Sequence, residues 1–148
     1  MTLPRPQRIG HDSPPGSLLK RVGAASPAAP RKDAGDRDAS HMALIRLCPC
    51  LKCGLDPAGV AAHLRMNSGT FNKRQAMQKK PSGKWTTPLC RACHTDDPDA
   101  QHKMGEAEFW HMLGINPFLA CQRLHEASGD LVRMRAVAFQ IIGERSKR

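Results

Sequence analysis

Tyrosine is absent from this 148-residue chain, and four Phe with two Trp are its only aromatic residues. That scarcity excludes a core rich in rings and a base-stacking platform built from many aromatics. No stretch approaches the roughly 18 consecutive apolar residues that a membrane span needs. Residues 1–41 are interrupted throughout by Pro and Arg, and they hold no apolar run long enough for a signal peptide. A soluble cytoplasmic protein without membrane contact is the expectation, and in that compartment cysteines stay reduced. The length excludes a large multidomain enzyme and fits one domain with a tail. Acidic residues are few: 13 Asp plus Glu stand against 23 Lys plus Arg, a formal charge of +10. An anionic partner follows, with nucleic acid ahead of a membrane surface.

What is present divides the chain. Residues 1–41 hold six of the twelve prolines and four of the twelve glycines, with no Cys, Phe or Trp. Such a segment buries too little apolar surface to offset the entropy of ordering, so a disordered Pro/Ala/Gly-rich extension is predicted there, with a folded domain over 42–148. Ala43 to Cys48 reads as a short apolar strand stopped by Pro49, and Val60 to Leu64 as a second strand able to pair with it. Residues 67–88 read as a long polar, basic loop with room for one helical turn around Asn72 to Met77. The last third is helical. Glu106 to Leu113 ends at Gly114, and Asn116-Pro117 caps a helix running to about Ser128 before Gly129. Asp130 caps a final helix in which Leu131, Met134, Val137, Ala138, Ile141 and Ile142 share one face. The fold class predicted is α+β, with a core over 44–104 and a helical cap over 105–143.

Six cysteines supply what the aromatics do not. Cys50-Leu51-Lys52-Cys53 and Cys90-Arg91-Ala92-Cys93 are two Cys-x-x-Cys pairs, each able to present two thiolates from a tight turn, and together they complete a four-cysteine zinc site. Such a site couples metal binding to folding and staples a chain with a small core. The 36 residues between Cys53 and Cys90 exceed the spacing of a simple zinc ribbon, and that insert contains His63. Cys121 has no partner at metal spacing and reads as a small buried hydrophobe.

Ala62-His63-Leu64-Arg65, Gly69 with Lys73, Pro88-Leu89-Cys90-Arg91-Ala92-Cys93-His94, and His102 before Gly105-Glu106-Ala107-Glu108-Phe109-Trp110 form an ordered set over roughly Cys48 to Leu124. In that order the chain resembles the HNH nucleases with a ββα-metal active site. It is most similar to the short HNH-type proteins of phages and prophages, including the RecA-dependent recombination-enhancement nucleases. The resemblance implies a metal-dependent DNA endonuclease or nickase in the cytoplasm of a bacterial host cell. DNA is the implied partner, and a recombinase filament a further one. It assigns His63 as general base and His94, with His102, as ligands of a catalytic Mg2+, Mn2+ or Zn2+, beside the structural Zn2+. Two positions differ from the family's pattern: Ala62 stands where many members carry an Asp or His ligand, and Ser82 to Thr87 contain no Asn. The metal shell would then draw on His102, on one of Asp96, Asp97 and Asp99, and on water.

The chemistry needs an activated water, charge neutralisation at the phosphate and help for the leaving oxygen. A neutral His63 could take the proton, and a metal on His94 and His102 could bind the phosphate oxygen and the departing alkoxide. Arg65, Lys73, Arg74, Lys79, Lys80, Lys84 and Arg91 are the expected phosphate contacts. Three other readings stay open at this point. His63, His94 and His102 could form a second structural zinc site with Cys48, the chain could be a non-catalytic zinc-stabilised DNA-binding accessory protein, or the basic loop could contact an acidic protein. Charge is unevenly placed: residues 1–41 carry +3, residues 42–95 carry +8 and residues 96–148 carry −1. The basicity therefore belongs to the half that contains His63 and both cysteine pairs.

Overall fold

The computed structural model describes residues 34–74 and 82–145. Its first element corrects the sequence reading. Helix α1 spans Ala34–Arg46, so the stretch expected to be a strand at Ala43 to Cys48 is the end of a helix and the turn after it. The physical reason lies upstream of that window: His41, Ile45 and Cys48 recur at helical spacing, and all three are buried. Only from Ala43 onward does the segment look like an isolated apolar run. Leu47 and Cys48 N–H groups donate to the Leu44 and Ile45 carbonyls at 3.0 and 3.1 Å, tightening the last turn before Pro49. The boundary at residue 41 is corrected too, because His41 is 2 % exposed and belongs to the core. Residues 1–33 of the expected extension lie outside the described residues.

Strand β1, Val60–His63, pairs with β2, Thr86–Leu89, and not with the region before it. The pairing is antiparallel, with Val60 opposite Leu89, Ala61 opposite Pro88, Ala62 opposite Thr87 and His63 opposite Thr86. The predicted loop over 67–88, polar and turn-rich, takes in Thr86 to Pro88 of this strand. Leu64 N–H donates to the Trp85 carbonyl at 2.8 Å, which makes Ala62–Thr87 and Val60–Leu89 the hydrogen-bonded pairs. Ala61–Pro88 is then a non-bonded pair, and the proline removes no rung. Of the expected 67–88 loop, residues 75–81 lie outside the described residues, while Ser68 and Lys73 form an isolated bridge around a tight turn.

After β2 the chain enters one wide π-helical turn, Ala92–Asp96, then a short helix α2, Gln101–Met104. Helix α3, Glu106–Leu113, ends at Gly114, whose φ of 63° gives the left-handed stop expected of a glycine there. Helix α4, Pro117–Glu126, starts as expected, with Asn116 Oδ1 accepting the Phe118 and Leu119 N–H groups at 3.1 Å each. It stops at Glu126, slightly short of the predicted Ser128. Asp130 caps α5, Leu131–Arg145, accepting the Arg133 N–H at 3.1 Å. The face predicted for α5 is the buried one at Met134, Ala138 and Ile141. Helices α1 and α4 both pack on β2, and α5 packs on α4 and α1. Ile45, Leu51, Leu64, Leu89, Phe109, Trp110, Leu124 and Met134 fill the space between them. The architecture is α+β. Among the described residues, no helix is long and apolar enough to cross a membrane.

Candidate metal centre and histidine cleft

The two Cys-x-x-Cys turns meet. The sulfurs of Cys50, Cys53, Cys90 and Cys93 all lie within 4.8 Å of one another, and Cys53 Sγ is 3.6 Å from Cys90 Sγ. A tetrahedral ion with metal–sulfur bonds of about 2.3 Å sets its sulfurs about 3.8 Å apart, so the group can hold one thiophilic ion such as zinc. The first turn closes through Cys50 N–H to the Leu55 carbonyl (2.8 Å) and Gly54 N–H to the Cys50 carbonyl (2.9 Å), with Gly54 at a φ of 77°. In the second, Cys93 N–H points at Cys90 Sγ at 3.5 Å. Burial raises the Cys50 and Cys93 thiols above the ordinary range, and a bound cation reverses that by favouring thiolate.

Helix α5 fixes this centre from outside. Arg145 Nη1 donates to the Leu51 carbonyl at 2.9 Å and to that of Lys52, the two residues between the first pair of cysteines. Arg135 donates to the Leu47 carbonyl at 2.8 Å and takes the Asp56 carboxylate with both terminal nitrogens, at 2.7 and 2.5 Å. Lys52 bridges to Asp99 at 2.7 Å, tying the cysteine turn to the chain just before α2.

Cys48 is not part of the cluster. It is fully buried, its thiol donates to the Leu44 carbonyl at 3.5 Å, and burial pushes it up to about 11, the state of an inert thiol. Cys121 is likewise buried, with its thiol on the Thr86 carbonyl at 3.5 Å. Among the described residues, the four-cysteine group is the one set of three or more ligands that converges. Among the described residues, Cys48 and the three histidines do not converge as a set of ligands.

His94 follows Cys93 directly in the π-helical turn, and its N–H donates to the Cys90 carbonyl at 2.9 Å. The metal turn thus sets the position of this histidine. His94 Nε2 lies 3.1 Å from His102 Nε2, with the rings edge to face at 82°. That separation is the length of a direct N–H···N hydrogen bond between the rings, and it also lies near the roughly 3 Å that two imidazoles reach on one ion with bonds of about 2.0–2.1 Å. Burial, then the nearby His102, Arg65 and His63, holds His94 below the usual histidine pKa, keeping it neutral as a ligand must be. His63 ends β1, where the alternation that buries Ala62 and Leu64 turns it to the other face. A cleft of about 170 Å³ is lined by His63, Arg65, Gln101, His102, Gly105 and Glu106.

Other expected residues fall differently. Asp96 is engaged by Thr95 Oγ1 at 2.7 Å and Arg91 at 3.3 Å, and Asp99 by Lys52, and among the described residues neither joins the histidines in a converging set of three or more ligands. Lys73, expected to track phosphates, is 3 % exposed with its ammonium on the Met66 carbonyl, and burial lowers its pKa. That removes it from the contact surface. Arg65, Arg74 and Arg91 are exposed, and Lys84 lies 5.0 Å over the Trp85 ring. Lys79 and Lys80 lie outside the described residues. The sequence reading missed Gln101 and Glu106 as cleft residues. Glu106 stands in the first turn of α3, where an acid is explained by the helix dipole alone. The chain matches no protein-family model, no curated protein and no solved structure.

Proposed function

We propose that the protein is a metal-dependent DNA endonuclease or nickase of HNH type, with the four cysteines holding a structural zinc. One observation carries the reading: the His94 and His102 Nε2 atoms stand 3.1 Å apart, and His102 lines the same cleft as His63. The order of elements supports it, since a strand ending in His63, its antiparallel partner and a helical segment with His94 and His102 follow one another. His94 and His102 would hold a divalent ion, Mg2+, Mn2+ or Zn2+, which would supply charge neutralisation for phosphodiester hydrolysis. His63 accepts the proton of the attacking water as its oxygen bonds to phosphorus and the ester bond breaks. Arg65, exposed at the cleft rim, holds a phosphate oxygen. The DNA partner follows from the +8 carried by residues 42–95.

A non-catalytic, zinc-stabilised DNA-binding module is the second reading. The observation favouring it is that no third ligand converges on His94 and His102 among the described residues. Incubation of zinc-loaded protein with supercoiled plasmid and Mg2+ or Mn2+ separates the two. The nuclease reading expects open-circular or linear product that depends on added metal and falls at least about 100-fold in His94→Ala. A salt-dependent band shift with no cleavage under either added metal would establish the second reading instead.

A further inference from the structure

The cleft is held together by a residue to which the resemblance assigns no role. Glu106 opens α3, yet its carboxylate turns back on the exit of β1. Both of its oxygens accept the Arg65 N–H at 2.9 Å, and Oε2 accepts the Met66 N–H at 2.7 Å. The buried Lys73 ammonium, close enough to feel the Glu106 charge, donates to the Met66 carbonyl. Met66, three residues beyond His63, is therefore gripped through both its N–H and its C=O. Gln101, 4 % exposed, donates Nε2 to Glu106 Oε1 at 3.2 Å, and the next residue is His102. One carboxylate thus joins the wall that bears His63 and Arg65 to the wall that bears His102. Hydrogen bonds to an ionised acceptor are roughly twice as strong as neutral ones, and a productive site tolerates errors of only about 0.5 Å.

We infer that Glu106 is a positioning residue for the cleavage proposed above, and the inference rests on that reading. It contacts neither phosphate nor metal. Its work is to set where His63 and Arg65 stand relative to His94 and His102, with Lys73 and Gln101 holding it in place. The carboxylate's hydrogen bonds to two peptide N–H groups and to Gln101 account for its orientation without a ligand role.

The test is plasmid-cleavage kinetics of the full-length, zinc-loaded chain in Mn2+. Wild type is measured beside Glu106→Gln and Glu106→Asp, each well below its own melting temperature. Glutamine has nearly the same shape but turns one acceptor into a donor facing peptide N–H groups. The expected result is a kcat lower by about 10- to 100-fold with KM within about twofold. Aspartate, with its charge kept and its reach shortened, recovers part of the loss. The backbone amide resonances of Arg65 and Met66 should shift upfield in Glu106→Gln as the charged acceptor is lost. An unchanged kcat, unmoved amides, or kcat and KM worsening together with a collapsed melting temperature would each overturn the inference. Wild type that fails to cleave would instead remove the nuclease reading, and this inference with it.

Discussion

His41 shows how much a single side chain can reveal about where the packed structure extends. Its Nδ1 is 2.9 Å from Ser128 Oγ, its ring sits edge-on to His125, and it is almost wholly buried. Burial first, then the charge of His125, holds its pKa at about 4, against a smaller opposing effect of Asp38. The folded state keeps His41 neutral, while the unfolded chain takes a proton below about pH 6.5. The stability is therefore fully present above pH 6.5 and is lost as the pH falls to 4, an amount on the order of 3 kcal/mol. Urea midpoints measured between pH 7 and pH 4 should fall more steeply for wild type than for His41→Gln. Equal slopes would show that His41 carries no such linkage. The four ligand cysteines were legible because each pair is local and chemically unambiguous. His41 and Glu106 were not, because their partners lie 87 residues and about 40 residues away in sequence.

Helices α3, α4 and α5 were legible as elements, through a glycine stop, an Asn-Pro start and an apolar face of helical period. Helix α1 and strand β2 were not, each for a definite reason. The α1 pattern begins before the apolar run that suggested a strand, and Pro88 hides a strand in which it occupies a non-bonded pair. Between elements, the cysteine turns are central. The second turn continues into the π-helical turn with His94, and α5 braces the first through Arg145 and Arg135. If the four cysteines hold an ion as proposed, its removal should therefore remove more than a staple. Chelation strong enough to strip one zinc per chain is expected to lower the melting temperature and abolish plasmid cleavage. Mg2+ or Mn2+ added back alone should not restore it, because Cys93 and His94 move together. Full activity in zinc-free protein, followed by metal analysis and thermal melting, would contradict that coupling.

At the scale of the whole molecule, charge and the histidine cleft meet at Arg65. The segment 42–95 carries +8 of the chain's +10, and the structure refines that tally by burying Lys73 and leaving Arg65, Arg74 and Arg91 exposed. Arg65 stands at the rim of the histidine cleft, so the phosphate backbone that these cations attract would lie against His63. On the proposed reading, the absence of tyrosine and the scarcity of other rings would leave backbone electrostatics as the main source of DNA affinity. The measurement that bears most directly on the account is the single-turnover rate of supercoiled plasmid cleavage in Mn2+ by zinc-loaded wild type and by His63→Ala, with zinc content and DNA affinity checked to be equal. The account predicts a rate at least about 100-fold lower for His63→Ala with binding unchanged. Equal rates in the two proteins would contradict it, since cleavage would then proceed without the proposed base.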